Sequence, residues 1–291
     1  MKIETVGVIG MGQMGKGIAE VFATAGYHVI GHDSDRSSRS SVLQAIRYDF
    51  DRLVEKKRVD ASTADKASKR ITLANEIFEL KSCDLIVEAA TEDEDTKKEI
   101  FSSLEPILKD ETILTTNTSS ISITRLAAAT NRPSKFMGLH FMNPVGLMKL
   151  VELVRGIATN DETFDIVKDV VFRLGKTYSV SQDFPAFIVN RILMPMINEA
   201  IYCLYEGVGN VHNIDMSMKL GANHRMGPLE LADFIGLDTC LSIMNVLHEG
   251  LGDTKYRPCP LLVKYVEAGW LGLKTKKGFY DYSTTPPEPT R

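Results

Sequence analysis

At 291 residues the chain is about two domains long on a prior of roughly 150 residues per domain, and 44% hydrophobic residues are ample for their cores. Its 34 basic residues against 38 acidic ones leave a net charge of -4, which gives no argument for a chain that lives on nucleic acid or on anionic membrane. Cys83, Cys203, Cys240 and Cys259 show neither CxxC nor zinc-like spacing, so the expectation is free thiols and no metal site. The opening "MKIETVGVIGMG" enters a strand almost at once, without an apolar stretch of signal-peptide kind. No later run reaches about 18 apolar residues, and the chain is therefore read as soluble and cytoplasmic.

The first pattern along the chain is strand, glycine loop, helix, strand: Val6 to Ile9, Gly10 to Gly15, Ile18 to Ala25 and His28 to His32. From Arg36 to Ala74 the chain is long, charged and helical, with no visible strand signal, and reads as a helical insertion. Strand-like runs then follow at "CDLIVEAA", "TILTTN", "KFMGLH" and "KLVELV", separated by helical patterns such as "DTKKEIFSSLEPIL" and "ISITRLAAAT". That alternation predicts an α/β fold of Rossmann type, a doubly wound and mostly parallel sheet with ligands at the carboxyl ends of its strands. After "SVSQDFPAFIVNR" the strand signals largely stop, so the expected domains are 1–184 and a smaller all-helical 185–291. The tail "STTPPEPTR" reads as disordered.

Gly10, Gly12 and Gly15 form G-x-G-x-x-G, with Gln13 and Met14 as the residues between the second and third glycines. In such a loop the first glycine permits a tight turn, the second lets backbone approach a pyrophosphate, and the third lets helix pack on strand. Asp33 follows the second strand, where a carboxylate accepts both ribose hydroxyls and repels a 2′-phosphate, a turn residue in the polar "HDSD" being the other reading. The expected cofactor is NAD or NADH rather than NADP.

In "GLHFMNPVGLMKLVELVRG" a histidine ends one apolar run and a glutamate stands inside the next. Glu152 shares a strand face with Leu150 and Val154, where its neighbours suggest core, and a buried carboxylate needs a partner. His140, at the end of the preceding strand, can be that partner. A histidine there suits the base that takes a substrate hydroxyl proton during hydride transfer, with the carboxylate holding its far nitrogen. On pattern alone, a His and a Glu each satisfied by backbone fit equally well. Asn117, Ser119 and Asn143 gather at strand ends, and Asn190 is a polar residue at the start of an apolar helix near the domain junction; turn and capping chemistry is the alternative for the first three.

At these residues the chain resembles the L-3-hydroxyacyl-CoA dehydrogenase family, most closely its short bacterial 3-hydroxybutyryl-CoA dehydrogenases. The match runs from "GVIGMGQMGKGIA" through "DLIVEAATED", "NTSSISIT", "GLHFMNPV", "MKLVELVRG" and "FIVNRIL" to "MKLGANHRMGPLELADFIGLD" and "KYRPCPLLVKYVEAGWLGLKTKKGFYDYS". The resemblance implies that His140 is the catalytic base and Glu152 its carboxylate partner, with Ser119 and Asn190 on the substrate hydroxyl. It further implies that Asp33, Glu92, Lys97, Asn117, Asn143 and Lys274 contact the dinucleotide. Arg52 and Lys56 fall where relatives carry basic residues near CoA, a solvated charged helix face being the other reading.

By the same resemblance the helical domain closes over an acyl-CoA and forms a homodimer. The expected reaction interconverts a short-chain (S)-3-hydroxyacyl-CoA and a 3-oxoacyl-CoA, 3-hydroxybutyryl-CoA and acetoacetyl-CoA. A dehydrogenase of a small hydroxy acid or sugar acid, or a catalytically silent dinucleotide-binding protein, are the alternatives. The chain departs from the family pattern at Ala186, where glycine is common, at Arg225, where proline is, and at Leu273 and Lys276, which stand for a basic residue and a glycine.

Overall fold

The protein is described here by a computed structural model that covers residues 1–35 and 39–290. Residues 36–38, at the expected start of the helical insertion, and Arg291, at the end of the expected disordered tail, lie outside the described residues. The chain divides into two compact units, Met1–Phe184 and Pro185–Arg291.

The first unit is built on β1 (Thr5–Ile9), β2 (His28–His32), β3 (Ile71–Leu73), β4 (Leu85–Glu88), β5 (Ile113–Thr116), β6 (Phe136–Phe141), β7 (Leu150–Arg155) and β8 (Thr177–Gln182). They form an eight-stranded sheet in the order β3-β2-β1-β4-β5-β6-β7-β8, parallel throughout except between β6 and β7. Strands β4, β5 and β6 are buried along their whole length, which is why they show no alternation of apolar and exposed polar residues. The strand order reverses direction at β1 and β4, and the carboxyl ends of these strands open the crevice where such sheets take ligands.

Two strands were invisible to periodicity. β3 falls inside the stretch read as purely helical, and three residues on the sheet edge are too few to show a period. β8 pairs with β7 at the other edge and leaves most of its residues exposed, so it lacks the apolar run that marks the central strands. The insertion itself holds α2 (Arg39–Glu55) and α3 (Ala61–Lys69). Val42, Ile46 and Phe50, spaced by one helical turn, are buried on the inner face of α2 against Ala64 and Ala67 of α3, and the charged pattern seen in sequence is the outer face. The remaining helices are α1 (Gln13–Thr24), α4 (Glu94–Leu104), α5 (Ile123–Ala128) and α6 (Asp161–Arg173).

The second unit packs α7 (Val189–Tyr205), α8 (Val211–Gly221), α9 (Pro228–Ile235), α10 (Leu237–Leu251) and α11 (Pro260–Glu267) around a core that includes Ile201, Leu229, Leu237, Met244 and Leu247. It is helical apart from a ribbon of β9 (Tyr280–Asp281) and β10 (Glu288–Pro289). This ribbon corrects the expectation of a disordered tail. Thr290 donates from its backbone N to Phe279 O at 2.9 Å, and from Oγ1 to Gly278 O at 2.8 Å, so backbone pairing holds a segment whose composition has no core to offer. Two buried carboxylates anchor the ribbon. Asp233 accepts the N–H groups of Phe279 and Tyr280, both at 2.9 Å, and Asp215 accepts the Tyr280 hydroxyl at 2.8 Å.

Among the described residues no single helix is long and apolar enough to cross a membrane. The pair α9 and α10 passes on length and composition but bends by 98°, and its apolar residues Leu229, Ala232, Leu237, Met244 and Leu247 are buried in the core of the unit.

Candidate active site

The glycine loop leaves β1 at Ile9 and enters α1 at Gln13. Gly10 adopts a positive φ of 84°, and a Cβ there would lie 2.6 Å from Ala90 Cα. A Cβ on Gly15 would fall 1.7 Å from the Gly10 carbonyl oxygen, so only glycine lets the helix sit on the loop. A Cβ on Gly12 would meet nothing within 4 Å, so this face of the loop is open to a ligand. α1 also has no side-chain cap, whereas α4, α5 and α6 are capped by Asp93, Ser122 and Asn160. The first-turn N–H groups of α1 therefore remain available to an anion.

Asp33 closes the far side of the loop. Its Oδ2 accepts the Met11 N–H at 2.7 Å and its Oδ1 the Asp35 N–H at 2.9 Å. A cavity of about 530 Å³ is bounded by Gly10, Gly12, Asp33 and Ala90, with Ile77 and Ile100 among its apolar walls. An uncapped helix end, an open glycine, a carboxylate and apolar walls fit a dinucleotide. Gln13 is exposed and Met14 half-buried in the first turn of α1, and Gln13 Nε2 donates to Asn143 Oδ1 at 3.3 Å.

On β6 and β7 the antiparallel register sets His140 opposite Glu152. His140 Nδ1 lies 2.9 Å from Glu152 Oε2, with the histidine 6% exposed and the glutamate fully buried. Asn117, just beyond β5, accepts the Phe141 N–H on its Oδ1 at 2.8 Å and so pins the end of β6 next to the histidine. The β6–β7 connection that carries Asn143 is clamped from below. Lys176 Nζ donates to Val145 O at 2.7 Å and to Met148 O at 2.8 Å, and its burial lowers the lysine pKa.

Ser119 lies half-buried in a turn organised by Glu92. Glu92 Oε1 accepts from Thr118 Oγ1 at 2.6 Å, from the Ser119 N–H at 2.8 Å and from the Ser120 N–H at 3.1 Å. The packing around Glu92 works against its charge, but Lys97 and the Thr118, Ser119 and Ser120 donors outweigh it and hold its pKa below the usual carboxylate value. Lys97 is only 1% exposed, with its ammonium 2.7 Å from Glu88 Oε1 and 3.6 Å from Glu92 Oε2.

The structure thus brings together Gly10, Gly12, Gly15 and Asp33, then His140 with Glu152, and Ser119 with Glu92 and Lys97. Arg52 and Lys56 stand exposed at the outer end of α2, Arg52 over the Tyr48 ring at 5.7 Å. Asn190 and Lys274 belong to the second unit. Asn190 is half-buried in the first turn of α7, and Lys274 Nζ donates to Asp238 Oδ2 at 2.6 Å.

Sequence reasoning missed Glu88, Lys176, Ile77 and Ile100. Glu88 carried the same signal as Glu152, a carboxylate among apolar neighbours in "LIVEAA", and could have been found by the same argument. Lys176 donates to loop carbonyls, and the two isoleucines line a wall from separate segments, so neither leaves a local pattern.

Residues 5–184 match the family model for the NAD binding domain of 3-hydroxyacyl-CoA dehydrogenase, and residues 187–282 match its C-terminal domain. A 3-hydroxybutyryl-CoA dehydrogenase of Bradyrhizobium diazoefficiens is 63% identical over 289 residues, 99% of each chain. A probable 3-hydroxybutyryl-CoA dehydrogenase of Bacillus subtilis is 51% identical over 97% of this chain and 98% of its own. Among solved structures, an (S)-3-hydroxybutyryl-CoA dehydrogenase of Ralstonia eutropha superposes with a TM-score of 0.94 at 44% identity, covering 97% of this chain and 100% of that one. With both domain models matched in order along nearly the whole chain, and the glycine loop and His–Glu pair in place, this chain belongs to the 3-hydroxyacyl-CoA dehydrogenase family.

Proposed function

We propose that the chain interconverts a short-chain (S)-3-hydroxyacyl-CoA and the 3-oxoacyl-CoA, with 3-hydroxybutyryl-CoA and acetoacetyl-CoA as its pair and NAD as its cofactor. The observation that carries this reading is the bond from His140 Nδ1 to Glu152 Oε2 at 2.9 Å, at the carboxyl end of the sheet where the glycine loop also opens. NAD, when bound, supplies the acceptor for the hydride from substrate C3. His140 takes the 3-hydroxyl proton at Nε2, and Glu152 holds the opposite nitrogen and offsets the charge that forms on the ring. Ser119 and Asn190 position the substrate oxygen, Asn190 by resemblance alone. In the reverse direction His140 returns the proton to the nascent alkoxide.

In this reading residues 1–184 bind the dinucleotide through Gly10, Gly12, Gln13, Met14, Gly15, Asp33, Asn117 and Asn143, with Glu92, Lys97 and Lys274 completing the set that the resemblance implies. Arg52 near the end of α2 and Lys56 just beyond it, both exposed, meet phosphates of CoA. Residues 185–291 serve the substrate and a homodimer; Ile192, Val208 and Leu220 are 68%, 75% and 77% exposed there, apolar surface that a second copy would cover. The enzyme works in the cytoplasm.

The test is NADH oxidation by the purified protein with acetoacetyl-CoA against free acetoacetate, with NADPH alongside and light scattering for oligomeric state. Turnover confined to the thioester supports the reading. Reduction of acetoacetate alone favours a hydroxy-acid dehydrogenase, and NADH binding without turnover of either substrate rejects the assigned reaction.

A further inference from the structure

Glu88 ends β4 with none of its surface exposed, between β1, which leads into the glycine loop, and β5, which leads into the Ser119 turn. Its Oε1 accepts the Ala90 N–H and the Lys97 ammonium, each at 2.7 Å, and its Oε2 accepts the Thr116 hydroxyl at 2.6 Å. Every arm of this network leads to a part of the site. Ala90 is the residue whose backbone presses on Gly10. Thr116 Oγ1 accepts the Thr118 N–H at 3.3 Å, and the Glu88 carbonyl accepts the Asn117 N–H at 2.7 Å. Lys97 lies between Glu88 and Glu92, whose carboxylate holds the Ser119 and Ser120 N–H groups.

Stability does not explain the arrangement, because a buried ion pair is often matched or bettered by apolar residues of similar volume. What a carboxylate and an ammonium add is direction: fixed hydrogen bonds that an apolar pair lacks. We infer that Glu88 is a positioning residue that couples the glycine loop to the Ser119 turn, so that dinucleotide affinity and orientation of the substrate oxygen depend on one buried carboxylate. The inference rests on Ser119 acting on that oxygen, and goes beyond it by assigning Glu88 a role although it lies behind the site.

The experiment compares Glu88→Gln and Thr116→Val with wild type in three readouts: thermal melting, NADH affinity by fluorescence titration, and kcat with KM for acetoacetyl-CoA. The amide of Glu88→Gln can still accept from Ala90 but gives Lys97 no counter-charge and Thr116 no second acceptor. NADH affinity in that variant should fall about tenfold and kcat about 10- to 100-fold, the scale of displacing a positioning group by about an ångström, with KM for the thioester little changed. Thr116→Val keeps the charge pair and removes the bond to Glu88 along with the long 3.3 Å bond from the Thr118 N–H, so its loss in kcat should be about 2- to 10-fold.

A lowered melting temperature with wild-type kcat and NADH affinity in both variants overturns the proposal and leaves Glu88 a structural residue. If Glu88→Gln does not fold, Thr116→Val decides by the same criterion. If the wild type fails to reduce acetoacetyl-CoA, the functional reading falls, and the NADH titration still tests the link from Glu88 to the glycine loop: unchanged affinity overturns it.

Discussion

In the β6–β7 ladder His140 and Glu152 are register partners, and their side chains bond from Nδ1 to Oε2 at 2.9 Å with the carboxylate wholly buried. Twelve residues separate them in sequence, and one antiparallel turn of the chain brings them together. His140→Ala should therefore lower kcat by about 10²- to 10⁴-fold, the usual share of a general base. Titration of the variant with NADH should give a wild-type dissociation constant, since no glycine-loop contact is removed. Wild-type turnover would reject His140 as the base.

Glu152→Gln retains an acceptor for the imidazole N–H but removes the charge that offsets an imidazolium. The fold should be kept, because a neutral amide in the same volume is cheaper to bury than an ionised group. Steady-state kinetics should show a fall in kcat of at least about tenfold, larger than any change in KM. Equal losses in kcat and melting temperature across a temperature series would instead make Glu152 a structural residue.

In the structure the Asp33 carboxylate holds the Met11 N–H at 2.7 Å, and the proposed reading gives it the ribose as well. Asp33→Ala should weaken NADH binding and narrow the preference over NADPH, with the loop itself loosened. Parallel titrations with the two cofactors check this. An unchanged ratio of the two affinities would leave Asp33 a loop anchor only.

Glu20 on α1 is half-buried beside Asp49, which pairs with Lys16, and burial first, then the Asp49 charge, push the Glu20 pKa up to about 8. A carboxyl whose pKa is higher in the folded state than the ordinary 4.5 holds its proton better when folded. Stability is thus lost as pH rises from about 4.5 through about 8, and the penalty is full above that. Glu20→Gln, which can still donate to Asp49, should flatten this decline and raise stability at pH ~9 by on the order of a few kcal/mol. Melting curves across that range measure it. A decline as steep in the variant would place the titrating group elsewhere.

Two of the departures from the family pattern have a backbone consequence. Ala186 and Lys276, which the resemblance marks as standing for glycine, both adopt positive φ, 62° and 59°. The left-handed region costs a non-glycine residue roughly 1–2 kcal/mol. Lys276 is exposed, so Lys276→Gly should recover about 1 kcal/mol and raise the melting temperature by about 2–4 °C. Ala186 is fully buried, and Ala186→Gly loses a core methyl worth about 0.8 kcal/mol, so its net effect should be near zero. A melting temperature lowered by Lys276→Gly would show that its side chain does more than fill a turn. Nothing in the structure explains Arg225, which is exposed after α8.

The sequence by itself determined the βαβ start, the central strands and the pairing of His140 with Glu152. Each of these rests on a local cause: a continuous apolar run for a doubly covered strand, glycines where backbones must touch, a carboxylate among apolar neighbours that demands a partner. The edge strands β3 and β8 escaped, one for its length and the other because most of its residues are exposed. The tail escaped as well, because its order comes from pairing with β9 and from Asp233, both distant in sequence.

Tertiary structure alone decided how the site is supported. Glu88, Lys97, Glu92 and the Ser119 turn come from β4, α4, the loop between those two and the segment after β5, and only the parallel ladder from β4 to β5 sets them side by side. Lys176 reaches the β6–β7 connection from the start of β8. Hydrogen bonds between distant segments have no period and no spacing to read. They exist because burial leaves a charged group no water to turn to, and the fold supplies the partner.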